Sequence, residues 1–169
     1  GYNVLAADAR AHGDSEGTKI GMGWPERFDV IEWIKLIISW DSNAQIILHG
    51  VSMGAATVLM ASGEELPENV KVIIADCGYT SEWDEFKCEA NALHIPWFPV
   101  LNAASVMSRL RDGYDFKQAS ALEQVKQSRI PTLFIHGSDD ELVPYSKLYK
   151  LYSAAVCKKE CLTVNGAGH

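Results

Sequence analysis

The sequence predicts a single α/β domain over residues 1–169. It is a mostly parallel sheet with helices on both faces and a helical cap inserted over residues 77–130. Two features carry this reading. Short apolar runs alternate with longer segments of helical periodicity, and no Gly- or Ser-rich linker divides the chain. With 169 residues and 47% hydrophobic side chains, the chain can bury one substantial core and is short for two.

The strands are expected at Tyr2–Ala7, Gln45–His49, Lys71–Ala75, Thr132–His136 and Glu160–Val164. Each is a nearly continuous apolar run, the pattern of a strand buried in a parallel sheet. The first helix is expected from Pro25, because proline suits a first helical turn and Phe28, Ile31, Ile34 and Ile38 recur at helical spacing. Met53–Ser62 is small and apolar all round, as a helix buried against a sheet would be. Tyr145–Ala155 sets Leu148, Leu151 and Tyr152 on one face. The connection from Asp76 to Ile130 is too long for a loop and is expected to hold its own helices. Ser81, with Asp84 three residues on, predicts a helix start; Val100–Arg111 and Ser120–Gln127 predict two more helices.

Composition excludes several classes. A net charge of −7 and a pI of about 5.2 leave no basic stripe for nucleic acid. No apolar run reaches the roughly 18–20 residues that span a bilayer. The four cysteines, Cys77, Cys88, Cys157 and Cys161, form no C-x-x-C pair, and no histidine pair has metal-ligand spacing. Reduced thiols in a cytoplasmic protein are expected, with no metal and no organic cofactor. Gly21-Met22-Gly23 lacks the lysine and preceding strand of a phosphate loop and reads as a flexible loop.

The segment Gly50-Val51-Ser52-Met53-Gly54 carries the chemistry. It follows an apolar strand and opens an Ala-rich helix, the context of a nucleophile elbow. Glycines two before and two after Ser52 would let strand and helix backbones approach closely. The Met53 N–H would face a developing oxyanion. A serine needs a base, and the base needs an acid to orient it. His169 follows the last strand. Asp139 and Asp140 follow the strand Thr132–His136, so both acid candidates and the base sit beyond carboxyl ends of strands.

The chain resembles the α/β-hydrolase superfamily along its whole length. Asp8-Ala9-Arg10-Ala11-His12-Gly13-Asp14-Ser15-Glu16-Gly17 is similar to that superfamily's D-x-R-G-H-G-x-S-x-G loop, with Ala11 where glycine is usual. His136, Gly137, Asp140, Val143 and Pro144 fit its H-G-x-x-D-x-x-V-P pattern, which assigns the acid to Asp140. Ala75–Ser81 and Gly113–Phe116 resemble a mostly uncharacterised bacterial branch related to esterase-type and prolyl-oligopeptidase-type hydrolases. The resemblance implies a serine hydrolase with Ser52, Asp140 and His169 as catalytic residues. A carboxylesterase-like activity on a small ester or acyl substrate is the first expectation. Peptidase or acyltransferase action, or a non-catalytic ligand-binding module, are the alternatives.

The same resemblance gives His12 and Arg10 structural roles, with Asp8 and Asp14 as partners for Arg10. Asp76 is a weaker acid candidate, and His49 and His136 are expected to be neighbours of the site rather than bases. Seven of the sixteen aromatics fall between residues 79 and 116. Of these, Tyr79, Trp83, Trp97 and Phe98 are candidates for a substrate pocket. In the superfamily further strands precede the segment matching Tyr2–Ala7, one of them lies between it and Gln45–His49, and a helix follows the histidine. The chain is therefore expected to be a truncated core with a gap in its sheet. Its second oxyanion donor is expected in the missing N-terminal part, which would also hold any membrane anchor.

Overall fold

The computed structural model describes all residues 1–169. Its centre is a four-stranded parallel sheet in the order β1-β2-β3-β4, with β1 at Ile46–Val51, β2 at Val70–Asp76, β3 at Thr132–Gly137 and β4 at Lys159–Val164. Around it lie α1 (Glu26–Trp40), α2 (Met53–Ala61), α3 (Glu82–Ala92), α4 (Val100–Asp112), α5 (Ala121–Val125) and α6 (Ser146–Ala154). Parallel neighbours need crossovers, and the three connections between strands supply them.

The expected strand Tyr2–Ala7 does not form. Residues 1–25 contain no helix or strand, and Tyr2 and Val4 are exposed. A strand exists only through its ladder, and β1, an edge of the sheet, pairs only with β2. Four of the five expected strands are present within a residue or two of their predicted limits.

Burial of the strands is one-sided. Ile46 and Leu48 are buried, whereas Ile47, His49 and Val51 between them are exposed. The register aligns Leu48 with Ile73 and Ile73 with Thr132, so Leu48, Ile73, Ala75, Phe134 and His136 share the covered face. The two helices packed on the strands, α2 and α6, cover this face. In α2, Ala55, Ala56, Leu59 and Met60 are completely buried. Its small residues let it lie flat on β1 and β2. α1 packs on the outside of α2 through Val30, Ile34, Ile37 and Ile38. The face expected from Phe28 and Ile31 is thus rotated. Phe28 is exposed and stacks on the Arg27 guanidinium, 4.0 Å away. Arg27, itself buried, also covers Trp24 at 3.5 Å and pairs with Glu64 at 2.8 Å.

The connection between β2 and β3 holds α3, α4 and α5. Ser81 caps α3 by accepting from the Asp84 N–H, as its position predicts. The Asp84 carboxylate does not complete a capping box; it accepts from the Thr80 hydroxyl. Backbone bonds close the segment on itself, from Glu82 N–H to Ala119 C=O, Trp83 N–H to Phe116 C=O and Leu122 N–H to Thr80 C=O. A buried Lys147–Glu85 pair at 2.6 Å ties α3 to α6. No helix is long and apolar enough to cross a membrane.

Candidate active site

Ser52 stands between β1 and α2 with φ 54° and ψ −117°, a conformation that ordinary side chains avoid. Its backbone N–H donates to the Asp76 carbonyl, which fixes the turn to the neighbouring strand. Gly50 is required here for a local reason. A Cβ at that position would lie 2.2 Å from the Gly54 carbonyl oxygen, where no side chain fits. Gly54 itself has open space around it, so the close approach expected of both glycines belongs to Gly50 alone. Met53 is the first residue of α2, and its N–H has no backbone acceptor, as at any helix start.

His169 reaches this turn from the other end of the sheet. Its Nε2 lies 2.8 Å from Ser52 Oγ, and its Nδ1 lies 2.8 Å from Asp140 Oδ2. The Asp140 side chain is fully buried, and its second oxygen accepts from the backbone N–H groups of Leu142 and Val143 at 3.0 and 2.8 Å. A carboxylate held this way has one oxygen left for histidines. Asp140 Oδ2 takes His169, with His136 Nε2 at 3.3 Å. His136 Nε2 also lies 2.9 Å from the Val143 carbonyl. Both neighbours of that nitrogen are acceptors, so it carries the proton. The same reasoning sets the His169 tautomer. Nδ1–H donates to Asp140, leaving Nε2 free to accept from the serine hydroxyl.

The loop before His169 is seated by a second close approach. A Cβ at Gly137 would fall 2.3 Å from the Ala167 carbonyl oxygen. Ser138 N–H donates to the Val164 carbonyl and Asp139 N–H to the Ala167 carbonyl. The Asp139 carboxylate accepts from the Ser138 hydroxyl, whereas His169 Nδ1 bonds Asp140. The structure therefore brings Asp140, not Asp139, to His169. Asp76 meets Ser52 only through its main chain.

Of the other residues singled out by sequence, some land as expected and others do not. Arg10 pairs with Asp29 on α1, from Nε at 2.7 Å and Nη2 at 2.5 Å, which raises its pKa. It does not pair with Asp8 or Asp14. Asp8 instead accepts from the Asp14 N–H at 3.1 Å and bends its own loop. His12 Nδ1 bonds the Arg10 carbonyl, a structural role. His49 is exposed on the uncovered face of β1. Tyr79 is 2% exposed, lies in the core and donates its hydroxyl to the Met22 carbonyl. Burial pushes that phenol well above its ordinary pKa. Trp83, Trp97 and Phe98 form an edge-to-face series at 6.4 and 6.2 Å, with Lys117 over Trp83 and Lys87 over Trp97. Cavities of about 510 and 320 Å³ flank Tyr114, Arg111 and Asp112, and Ser52 lines neither.

Two buried residues, one beside the site and one in the helical segment, are placed where the sequence did not point. Cys77, at the end of β2, is buried with φ 46°, and one ligand atom of it lies within 4.8 Å of Asp140 and His169. Burial pushes its thiol up, partly offset by a backbone hydrogen bond at Ser52. Glu82, at the start of α3, is 3% exposed, and its Oε2 has no partner. Burial, with Glu26 and Asp112 nearby, raises its carboxyl to about 8.

The chain is similar to known proteins over most of its length. Residues 23–169 match the prolyl oligopeptidase family, peptidase S9. The uncharacterised protein YqkD of Bacillus subtilis is 32% identical over 154 residues, which is 90% of this chain and 50% of that protein. The lysophosphatidylserine lipase of Macaca fascicularis is 30% identical over 156 residues, 92% of this chain and 38% of the lipase. The chain thus spans half or less of these relatives' length. Among solved structures, a Pyrococcus furiosus esterase superposes with a TM-score of 0.76 at 24% identity, covering 99% of this chain and 63% of the esterase. The acylaminoacyl peptidase of Pyrococcus horikoshii superposes with a TM-score of 0.65 at 16% identity, covering 88% and 24%. The chain has the α/β-hydrolase fold and belongs to the prolyl oligopeptidase family of hydrolases.

Proposed function

We propose that the chain hydrolyses carboxylic esters through an acyl-enzyme on Ser52. One observation carries the reading: Ser52, His169 and Asp140 form an unbroken hydrogen-bonded series whose two links are each 2.8 Å. His169 Nε2 takes the hydroxyl proton as Ser52 Oγ attacks the carbonyl carbon. Asp140 stabilises the resulting imidazolium, because its buried carboxylate is already oriented by two backbone N–H groups. The Met53 N–H donates to the oxyanion. His169 then protonates the leaving alcohol. In the second half it activates a water that attacks the acyl-serine and releases the acid. Each step moves one proton between His169 Nε2 and an oxygen, and water is the only co-reactant.

Ester specificity draws support from the lipase relative and the esterase-like fold. Amide hydrolysis is the second reading, favoured by the peptidase family match and the acylaminoacyl peptidase superposition. A fluorophosphonate probe tests the mechanism. Labelling of the wild type that disappears in Ser52→Ala is expected, and a folded wild type that takes no label refutes it in favour of a binding module. A series of p-nitrophenyl esters of rising chain length, set beside aminoacyl amides, then separates the two readings by kcat/KM.

A further inference from the structure

The hydrolytic cycle uses Asp140 and His169 and gives no part to the thiol beside them. Cys77 is buried at the tip of β2, held in a left-handed conformation that costs energy for a side chain of its kind. One ligand atom each from Cys77, Asp140 and His169 lie within 4.8 Å of one another. A thiolate, a carboxylate and an imidazole are the donor set that zinc and cadmium take, and donor separations in such sites run to about 3.5 Å. Asp140 and Cys77 are buried just past β3 and β2, whereas His169 is exposed past β4, so closing the difference falls to the His169 side chain.

We propose that Cys77, Asp140 and His169 form an inhibitory site for a thiophilic divalent cation. This rests on the hydrolase reading above, since the inhibition consists of withdrawing His169 from Ser52. Binding releases the Cys77 thiol proton to solvent and shifts the His169 proton from Nδ1 to Nε2, the nitrogen that otherwise accepts from Ser52. It replaces the His169–Asp140 hydrogen bond by bonds to the ion, and the imidazole no longer serves as base. The ion competes with catalysis for the same two groups and leaves the protein when chelated.

The test uses the full chain, zinc chloride and the fluorophosphonate probe. Zinc is expected to slow labelling and EDTA to restore it. Cys77→Ala is expected to label normally without zinc and to need at least about tenfold more zinc for the same inhibition, the scale on which a lost metal contact is felt. Equal sensitivity of wild type and Cys77→Ala overturns the proposal.

Cadmium binding gives a reading independent of activity, through the ultraviolet charge-transfer band of a cadmium–thiolate bond. The band is expected in wild type and in Cys161→Ala, and is expected to be lost in Cys77→Ala and in His169→Ala. His169→Ala, altered at an exposed position, carries the test if Cys77→Ala fails to fold. A folded wild type without the band overturns the site. A band in a protein that takes no label even without metal keeps the site and refutes the hydrolase reading instead.

Discussion

The strand tips that carry Ser52, Asp140 and His169 and the helical segment between β2 and β3 are built to different standards. At the tips the side-chain polar groups of Ser52, His169 and Asp140 all have partners. Asp140 is buried with both oxygens engaged, and the strained Ser52 is pinned by the Asp76 carbonyl. In the helical segment, Glu82 is buried with an oxygen that bonds nothing. Leu93, Phe98, Val100, Met107 and Leu110 meanwhile face solvent. A satisfied network admits one arrangement, and an unsatisfied or solvent-facing one admits several. The difference marks where geometry is dictated and where it is permissive.

The comparison breaks first if Asp140 proves dispensable. Asp140→Asn keeps the volume but reverses hydrogen-bond polarity toward His169 Nδ1, so the imidazole favours the wrong tautomer. Ester turnover is expected to fall by about 10³–10⁴-fold with the fold intact, measured by kcat on a p-nitrophenyl ester and by circular dichroism. A loss under tenfold would mean that another acid serves. Next in size is Gly50→Ala. Its methyl would meet main chain at 2.2 Å, and neither β1 nor α2 has a flexible side chain to yield there. We expect a loss of about 3 kcal/mol in urea unfolding. Gly54→Ala, with open space at its Cβ, is expected to cost far less.

The same contrast explains what was legible in the sequence. Turn, acid and base each follow a strand within a few residues, so short motifs record them: Gly50–Gly54, His136–Pro144 and the approach to His169. Four of the five strands and the helices α1 and α6 were legible from their apolar patterns, and α2 from small apolar residues all round. The partner of Arg10 was not, because Asp29 is brought to it by the packing of a helix rather than by neighbouring residues. Tyr79 reads as a pocket aromatic by composition, yet its position just past β2 delivers it to the core. Tyr2–Ala7 has the apolar pattern of a strand, but a pattern is not a strand until a ladder forms, and this segment pairs with neither β1 nor any other strand. Cys77 was invisible because a single cysteine gains meaning only from what lies 4.8 Å away across the sheet.

Glu82 gives the third prediction. Its folded pKa of about 8 stands above the unfolded value of 4.5, so the folded state binds the extra proton between them. The stability this group contributes is present in full below pH 4.5 and is lost as the pH rises through about 8. Glu82→Gln cannot ionise. It is expected to melt higher than wild type at pH 8 and to show no advantage near pH 4.5. With roughly 2–4 °C per kcal/mol for a chain of this size, the gain is several degrees. Equal melting temperatures at both pH values would mean that Glu82 stays hydrated and ionised, and that the segment is better satisfied than its bonds imply.

The smallest effect tests whether the permissive region has a use. Phe98 is 65% exposed, at the end of the Trp83–Trp97–Phe98 series. A side chain this exposed has little transfer energy left to lose, so Phe98→Ser is expected to change stability by under about 0.5 kcal/mol. If the series receives the acyl chain, the same substitution raises KM for long esters and leaves short ones alone, because only the long chain reaches it. A KM that shifts equally for every length would place the aromatics in the packing of the segment. The pair of measurements therefore asks whether a surface that the fold leaves unconstrained has been taken over by the substrate.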